Sequence, residues 1–160
     1  MAFFHIDDQD VWGQGIADAN PLKEEGGMDG ITLANFVLGK SENNAPVATL
    51  LRMDPGYVLP RHGHDCYRFE VVVQGSITVG DKTLGVGALM LSEPGNLYGP
   101  HIAGPEGCTT IEIFSTFDAV SNLLVQGPDG VEKCDTTKPE GAQRMMELVR
   151  EQELEKLASA

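Results

Sequence analysis

Short runs of β-branched and aromatic residues alternate loosely with polar ones along most of the chain. Gly, Pro, Asn and Asp cut them at intervals of about eight to twelve residues, the spacing of a sandwich or barrel. The pattern predicts strands over residues 31–38, 47–53, 57–64, 68–73, 76–79, 88–91, 97–102 and 109–115. Asp54-Pro55-Gly56, Gly80-Asp81-Lys82, Glu93-Pro94-Gly95 and Gly104-Pro105-Glu106-Gly107 read as turns between them. Gln74-Gly75 reads as a hairpin turn after which residues 76–79 return antiparallel. A last hairpin over residues 123–131 is expected at the mouth or edge of the β-structure. Residues 1–30 are polar and broken by glycine, an irregular arm with one short strand near residues 3–6. After Pro139 the period changes. Ala142, Met145, Met146, Val149, Leu154 and Leu157 recur at helical spacing, and Pro139 and Glu140 suit a first turn, so a helix over 139–158 is predicted. It would pack on the barrel or on a partner subunit. The expectation is one all-β domain: an arm (1–30), a barrel (31–135) and a C-terminal helix (139–158).

Composition narrows the function classes. The chain has 160 residues, enough to bury a core, and its 19 glycines and 9 prolines suit a turn-rich β-domain. A net charge of −13 argues against nucleic acid or an anionic membrane as partner, since either needs a basic patch. No apolar stretch reaches membrane-spanning length, and the N-terminus lacks the basic and apolar regions of an export signal, so a cytoplasmic protein is expected. Cys66, Cys108 and Cys134 are odd in number with no C-x-x-C pair, which argues against a disulfide framework. Cys66 lies beside two histidines, but a buried spectator thiol is favoured over a thiolate ligand.

Three of the four histidines fall between Gly56 and His101. His62 and His64 stand at i and i+2, so in an extended strand both imidazoles leave the same face, as metal ligation requires. His5, alone in the arm, is expected at the surface. Gly56, five residues, then His62-Gly63-His64 and a stretch ending at Gly75 resemble the first cupin motif, G-x5-H-x-H-x3,4-E-x6-G. Gly87, five residues, then Glu93-Pro94-Gly95-Asn96-Leu97-Tyr98 resemble the second, G-x5-P-x-G-x2-H-x3-N. The resemblance implies an antiparallel β-barrel or jelly roll with a divalent metal held inside by histidines and a glutamate. It also implies a homodimer. The runs Glu112-Ile-Phe-Ser-Thr and Leu123-Leu-Val-Gln-Gly-Pro-Asp-Gly are similar to the branch holding ChrR-type anti-sigma domains and acetylacetone dioxygenase-like enzymes.

Two ligand positions depart from the motifs. Arg68 stands where the glutamate is expected, with Glu70 two residues on and so on the same face. Glu70 is then either a metal ligand or the salt-bridge partner of Arg68. Tyr98 replaces the motif histidine, and His101, three residues on, reaches the interior only if Gly99-Pro100 bulges the strand. Tyr98 and Tyr67 suit core or rim aromatics, although Tyr98 is also a conceivable iron ligand. Glu112, between Ile111 and Ile113, is expected to face solvent, with an interior general base as the sharper reading.

The reading that follows is a metal-dependent cupin enzyme for a small oxygenated substrate, with one divalent metal on His62, His64 and a third ligand from His101 or Glu70. Fe(II) and dioxygenase chemistry are favoured, and Zn(II), Mn(II) or Ni(II) would serve an isomerase or lyase. Arg68 would orient a substrate anion, and Tyr98 would donate a hydrogen bond or a proton, with Glu70 as a further proton-transfer candidate. The alternative is a non-catalytic cupin that binds or senses a small anionic ligand.

Overall fold

The computed structural model describes residues 3–8, 11–12 and 30–158. The strands run β1 Ile31–Val37, β2 Val47–Met53, β3 Val58–Leu59, β4 His62–His64, β5 Arg68–Val79, β6 Lys82–Gly85, β7 Leu89–Ser92, β8 Leu97–Tyr98, β9 His101–Phe114, β10 Asn122–Gly127 and β11 Gly130–Asp135. Helices α1 Asp118–Ser121 and α2 Pro139–Ala158 join them. A seven-stranded antiparallel sheet has the order β1-β2-β9-β5-β6, with β3 on β9 and β7 on β5. Facing it, a four-stranded sheet has the order β11-β10-β4-β8. This is a two-sheet antiparallel β-sandwich with a C-terminal helix.

Several predicted turns are bulges instead. Gln74-Gly75 does not reverse the chain: β5 is one strand of 12 residues. Its register against β9 shifts between Val72 and Gln74 and again between Gly75 and Ile77. Gly75 has φ of +66°, and a Cβ there would collide with the Gly107 carbonyl, so this glycine lets two bent strands cross closely. Gly104-Pro105-Glu106-Gly107 likewise lies within β9, a strand of 14 residues. Two long strands bent side by side stand where short hairpins were expected.

The predicted strand over 57–64 splits at Pro60-Arg61, placing β3 in the large sheet and β4 in the small one. That crossing carries His62 and His64 to the sheet opposite Arg68 and Glu70. The hairpin β10–β11 forms where expected, and β10 pairs with β4 through Leu123↔His64 and Leu124↔Gly63. Gly63 also permits β8 to close on the other side, since a Cβ would collide with the Asn96 carbonyl.

No strand forms near residues 3–6. The arm turns there, and Val11 and Trp12 are buried against Ala34 and Leu50. The Trp12 indole N–H donates to the Ile6 carbonyl at 2.7 Å, and the Arg52 guanidinium lies 4.0 Å from the Trp12 ring centre. The rest of the predicted arm, residues 1–2, 9–10 and 13–29, lies outside the described residues.

Helix α2 packs on the small sheet through Leu148, fully buried with Val125 and Cys134, with Met145 and Val149 half-buried beside it. The Arg144 guanidinium clamps it to β11 by donating to both Glu132 oxygens at 2.6 and 2.9 Å. Met146, predicted on the packed face, is 54% exposed. The packed row is Met145, Leu148, Val149, a rotation of the predicted stripe by about one position.

The interior has two characters. One end is apolar, with Leu51, Met53, Val72, Ile77, Ala103 and Cys108 buried together. The other end buries polar groups, and that end holds the candidate site.

Candidate functional site

Strand parity carries Arg68 and Glu70 inward from β5, where they are 1% and 0% exposed. In the β5–β9 register Glu70 lies opposite Glu112, which is buried too. The expectation that Glu112 faces solvent is therefore overturned. Its flanking isoleucines point to the outer face, where Ile113 is 39% exposed, because the inner face here is polar.

Arg68 binds both carboxylates. One guanidinium nitrogen donates to Glu112 at 3.1 Å and another to Glu70. Thr110 hydroxyl donates to the remaining Glu112 oxygen at 3.4 Å. Arg68 is thus engaged through two of its nitrogens, while its Nε is buried without a hydrogen-bond partner among the described residues. Burial foremost, and then the Glu112 charge, push the Glu70 carboxyl up to about 7 against the opposing pull of Arg68. Glu70 accordingly exchanges a proton near neutral pH.

His62 and His64 project from β4 with ring centres 5.4 Å apart and planes nearly perpendicular. Each Nδ1 faces a backbone carbonyl, Pro60 at 2.7 Å for His62 and Ala119 at 2.5 Å for His64. A carbonyl only accepts, so each Nδ1 carries the proton and each Nε2 keeps its lone pair. Burial pushes His62 down to about 4 and, with the His62 charge adding, His64 to about 3. Both are neutral at physiological pH, the state in which imidazole binds metals. Turn-borne α1 supplies the Ala119 carbonyl, a contribution that nothing in the sequence pattern around the histidines signals.

Gly99-Pro100 separates β8 from β9, and His101 does enter the interior, 2% exposed. Its ring centre is 6.4 Å from that of His62. Burial, with Arg68 and His62 adding, pushes it down to about 3. Unlike the other two, its Nδ1 is buried with no hydrogen-bond partner.

Tyr98 stands among all of these. Its ring stacks on His101 at 5.5 Å, meets His62 edge-on at 5.1 Å and lies 6.4 Å from His64. The Arg68 guanidinium sits over the ring, 4.2 Å from its centre, a cation–π contact, and the buried hydroxyl has no hydrogen-bond partner among the described residues. Burial raises the Tyr98 phenol, so it stays protonated.

Among the described residues no three His, Cys, Asp or Glu side chains are grouped closely enough to hold an ion as they stand. The fit to a metal is that of a pre-oriented histidine pair with His101 nearby. Glu70 is drawn to Arg68, but one of its oxygens is buried without a partner. Cys66 is buried with Phe114 and Ala119, and Tyr67 and His5 are exposed.

Among solved structures the chain is similar to a protein of unknown function with a cupin-like fold from Ralstonia eutropha JMP134. That match has 18% identity over 80% of this chain and 78% of the other, with a TM-score of 0.51. It is also similar to an RmlC-like cupin from the same organism, at 20% identity over 74% of each chain and a TM-score of 0.47. KdgF from a Halomonas species matches at 20% identity over 54% of this chain and 79% of its own, with a TM-score of 0.43. No protein-family model matches the chain, and no curated protein does. The first of these likenesses establishes the cupin-like fold, and at such identities it speaks to the fold alone. No helix among the described residues is long and apolar enough to cross a membrane.

Proposed function

We propose that this chain is a metal-dependent cupin enzyme acting on a small oxygenated organic substrate, with Fe(II) as the metal and dioxygenation as the reaction. The supporting observation is the pair of Nδ1–carbonyl hydrogen bonds that fix His62 and His64 as neutral donors with free Nε2 lone pairs. His101 is the third donor, since its buried Nδ1 has no hydrogen-bond partner among the described residues and its ring centre lies 6.4 Å from that of His62. A divalent metal on this set supplies Lewis acidity and, as Fe(II), a means of activating dioxygen.

The other groups handle protons and charge. Arg68 keeps a positive charge under the site while Glu70 and Glu112 neutralise it. Glu70, pushed up to about 7, accepts or returns a proton at neutral pH. Tyr98 offers its hydroxyl as hydrogen-bond donor to a bound oxygen atom. Oxygen uptake by the Fe(II)-loaded protein, screened with β-diketones and phenolic ketones, tests this reading. Uptake that disappears in His62→Ala supports it, and equal uptake in that variant contradicts it.

A second reading rests on Tyr98, whose ring packs against both His101 and His62. With that ring in place the interior would suit a non-catalytic binder of a small ligand. Its mark is a Fe(II) affinity that rises in Tyr98→Ala, which removes the ring, but not in Tyr98→Phe, which keeps it, with no oxygen uptake in either.

A further inference from the structure

A groove of about 760 Å³ runs between the β3–β4 connection, β10 and helix α2, within the size range of small-molecule pockets, about 300–1,000 Å³. Val58, Leu59, Leu123, Val125, Met145 and Met146 make its walls apolar. Val58 and Met146 are 51% and 54% exposed, so the groove presents large apolar side chains to water. Buried His62 also lines it, the one member of the interior histidine and tyrosine cluster among the lining residues.

The charged groups of the groove point to an anion. The chain has five arginines. Arg52 is engaged with Trp12 and Ile6, Arg68 with Glu70 and Glu112, and Arg144 with Glu132 and Glu147. The other two, Arg61 and Arg150, make no ion pair or hydrogen bond among the described residues, and both are exposed on this groove. In a chain of net charge −13, two guanidinium groups on one apolar cleft with no partner among the described residues are a selective feature. Glu147 also lines the groove, but Arg144 at 3.5 Å and the Gln143 amide at 2.9 Å hold its carboxylate.

We propose that the groove binds an amphipathic organic anion, a carboxylate on an aliphatic or aromatic body. Arg61 and Arg150 hold the carboxylate at the rim, and the apolar body lies against α2 with its far end toward His62. Two adjacent methionines suit a flexible apolar body, since their side chains adapt to varied shapes. The proposal deepens the metal-enzyme reading by naming its substrate class, and only the word substrate rests on that reading.

Titration calorimetry with octanoate, and with 1-octanol as the neutral probe, tests it. The chelator-treated parent should bind octanoate saturably at one site, and octanol more weakly. Arg61→Gln/Arg150→Gln should weaken octanoate by about tenfold or more, as loss of a charged hydrogen bond implies, and leave octanol unchanged. Both arginines are exposed, so far-UV circular dichroism should show the fold intact. Met146→Asp should weaken both probes. Unsaturable octanoate binding, octanol binding as tight as octanoate, or octanoate binding indifferent to the arginine pair would each overturn the proposal. Because the metal-free protein is used, arginine-dependent binding in a protein that never takes up metal keeps the groove and removes the metal reading. Metal uptake without octanoate binding does the reverse.

Discussion

Three imidazoles buried neutral beside an arginine make stability depend on pH. His62, His64 and His101 have folded values pushed from 6.5 down to about 4, 3 and 3. As pH falls through 6.5 the unfolded chain takes up protons that the folded chain refuses, so stability drops. Glu70 works the other way: raised from 4.5 to about 7, it favours folding less as pH rises through that window. Three groups outweigh one, so the metal-free protein should melt at progressively lower temperature between pH 6.5 and 5. A thermal scan series checks this, and a melting temperature that rises on acidification would contradict it. The histidine pair and the shared face of Arg68 and Glu70 were legible from i, i+2 spacing alone. Glu112 was not, because its inward placement depends on lying opposite Glu70 across β9, and register between distant strands leaves no mark in a local pattern.

At the scale of elements, glycine signals in this chain have two outcomes that look alike in sequence. Gly80 turns the β5–β6 hairpin as expected, whereas Gly75 with a similar φ bends one continuous strand. The difference lies in the partner: β9 runs alongside β5 through the Gly75 region and holds it extended. Helix α2 was legible from its period and first turn, but its packed row centres on Leu148, which the sequence reading passed over in favour of Met146. Leu148→Ala should therefore cost about 2–5 kcal/mol in urea unfolding. Met146→Ala should cost little. Equal effects would mean that α2 sits on the sheet in another rotation.

Across the whole molecule the usual alternation is inverted on part of the large sheet. Arg68, Glu70, Thr110 and Glu112 are buried, while Phe69, Leu89, Leu91 and Ile113 are exposed on the outer face, with Leu91, Phe69 and Ile113 in cross-strand register. A polar interior costs stability unless used, and an apolar exterior is costly in water, so both faces ask for an occupant. For the outer face we propose a second copy of the chain, as the sequence resemblance implied. Light scattering should give a dimer for the parent and a monomer for Leu91→Glu, and a monomeric parent would contradict it.

For the interior the proposed occupant is the metal, and its content in the purified protein is the direct test. Elemental mass spectrometry of the parent and of His62→Ala/His64→Ala should give close to one equivalent of iron in the first and none in the second. A parent that holds no metal, and gains none on anaerobic addition of Fe(II), Mn(II) or Zn(II), would contradict the account.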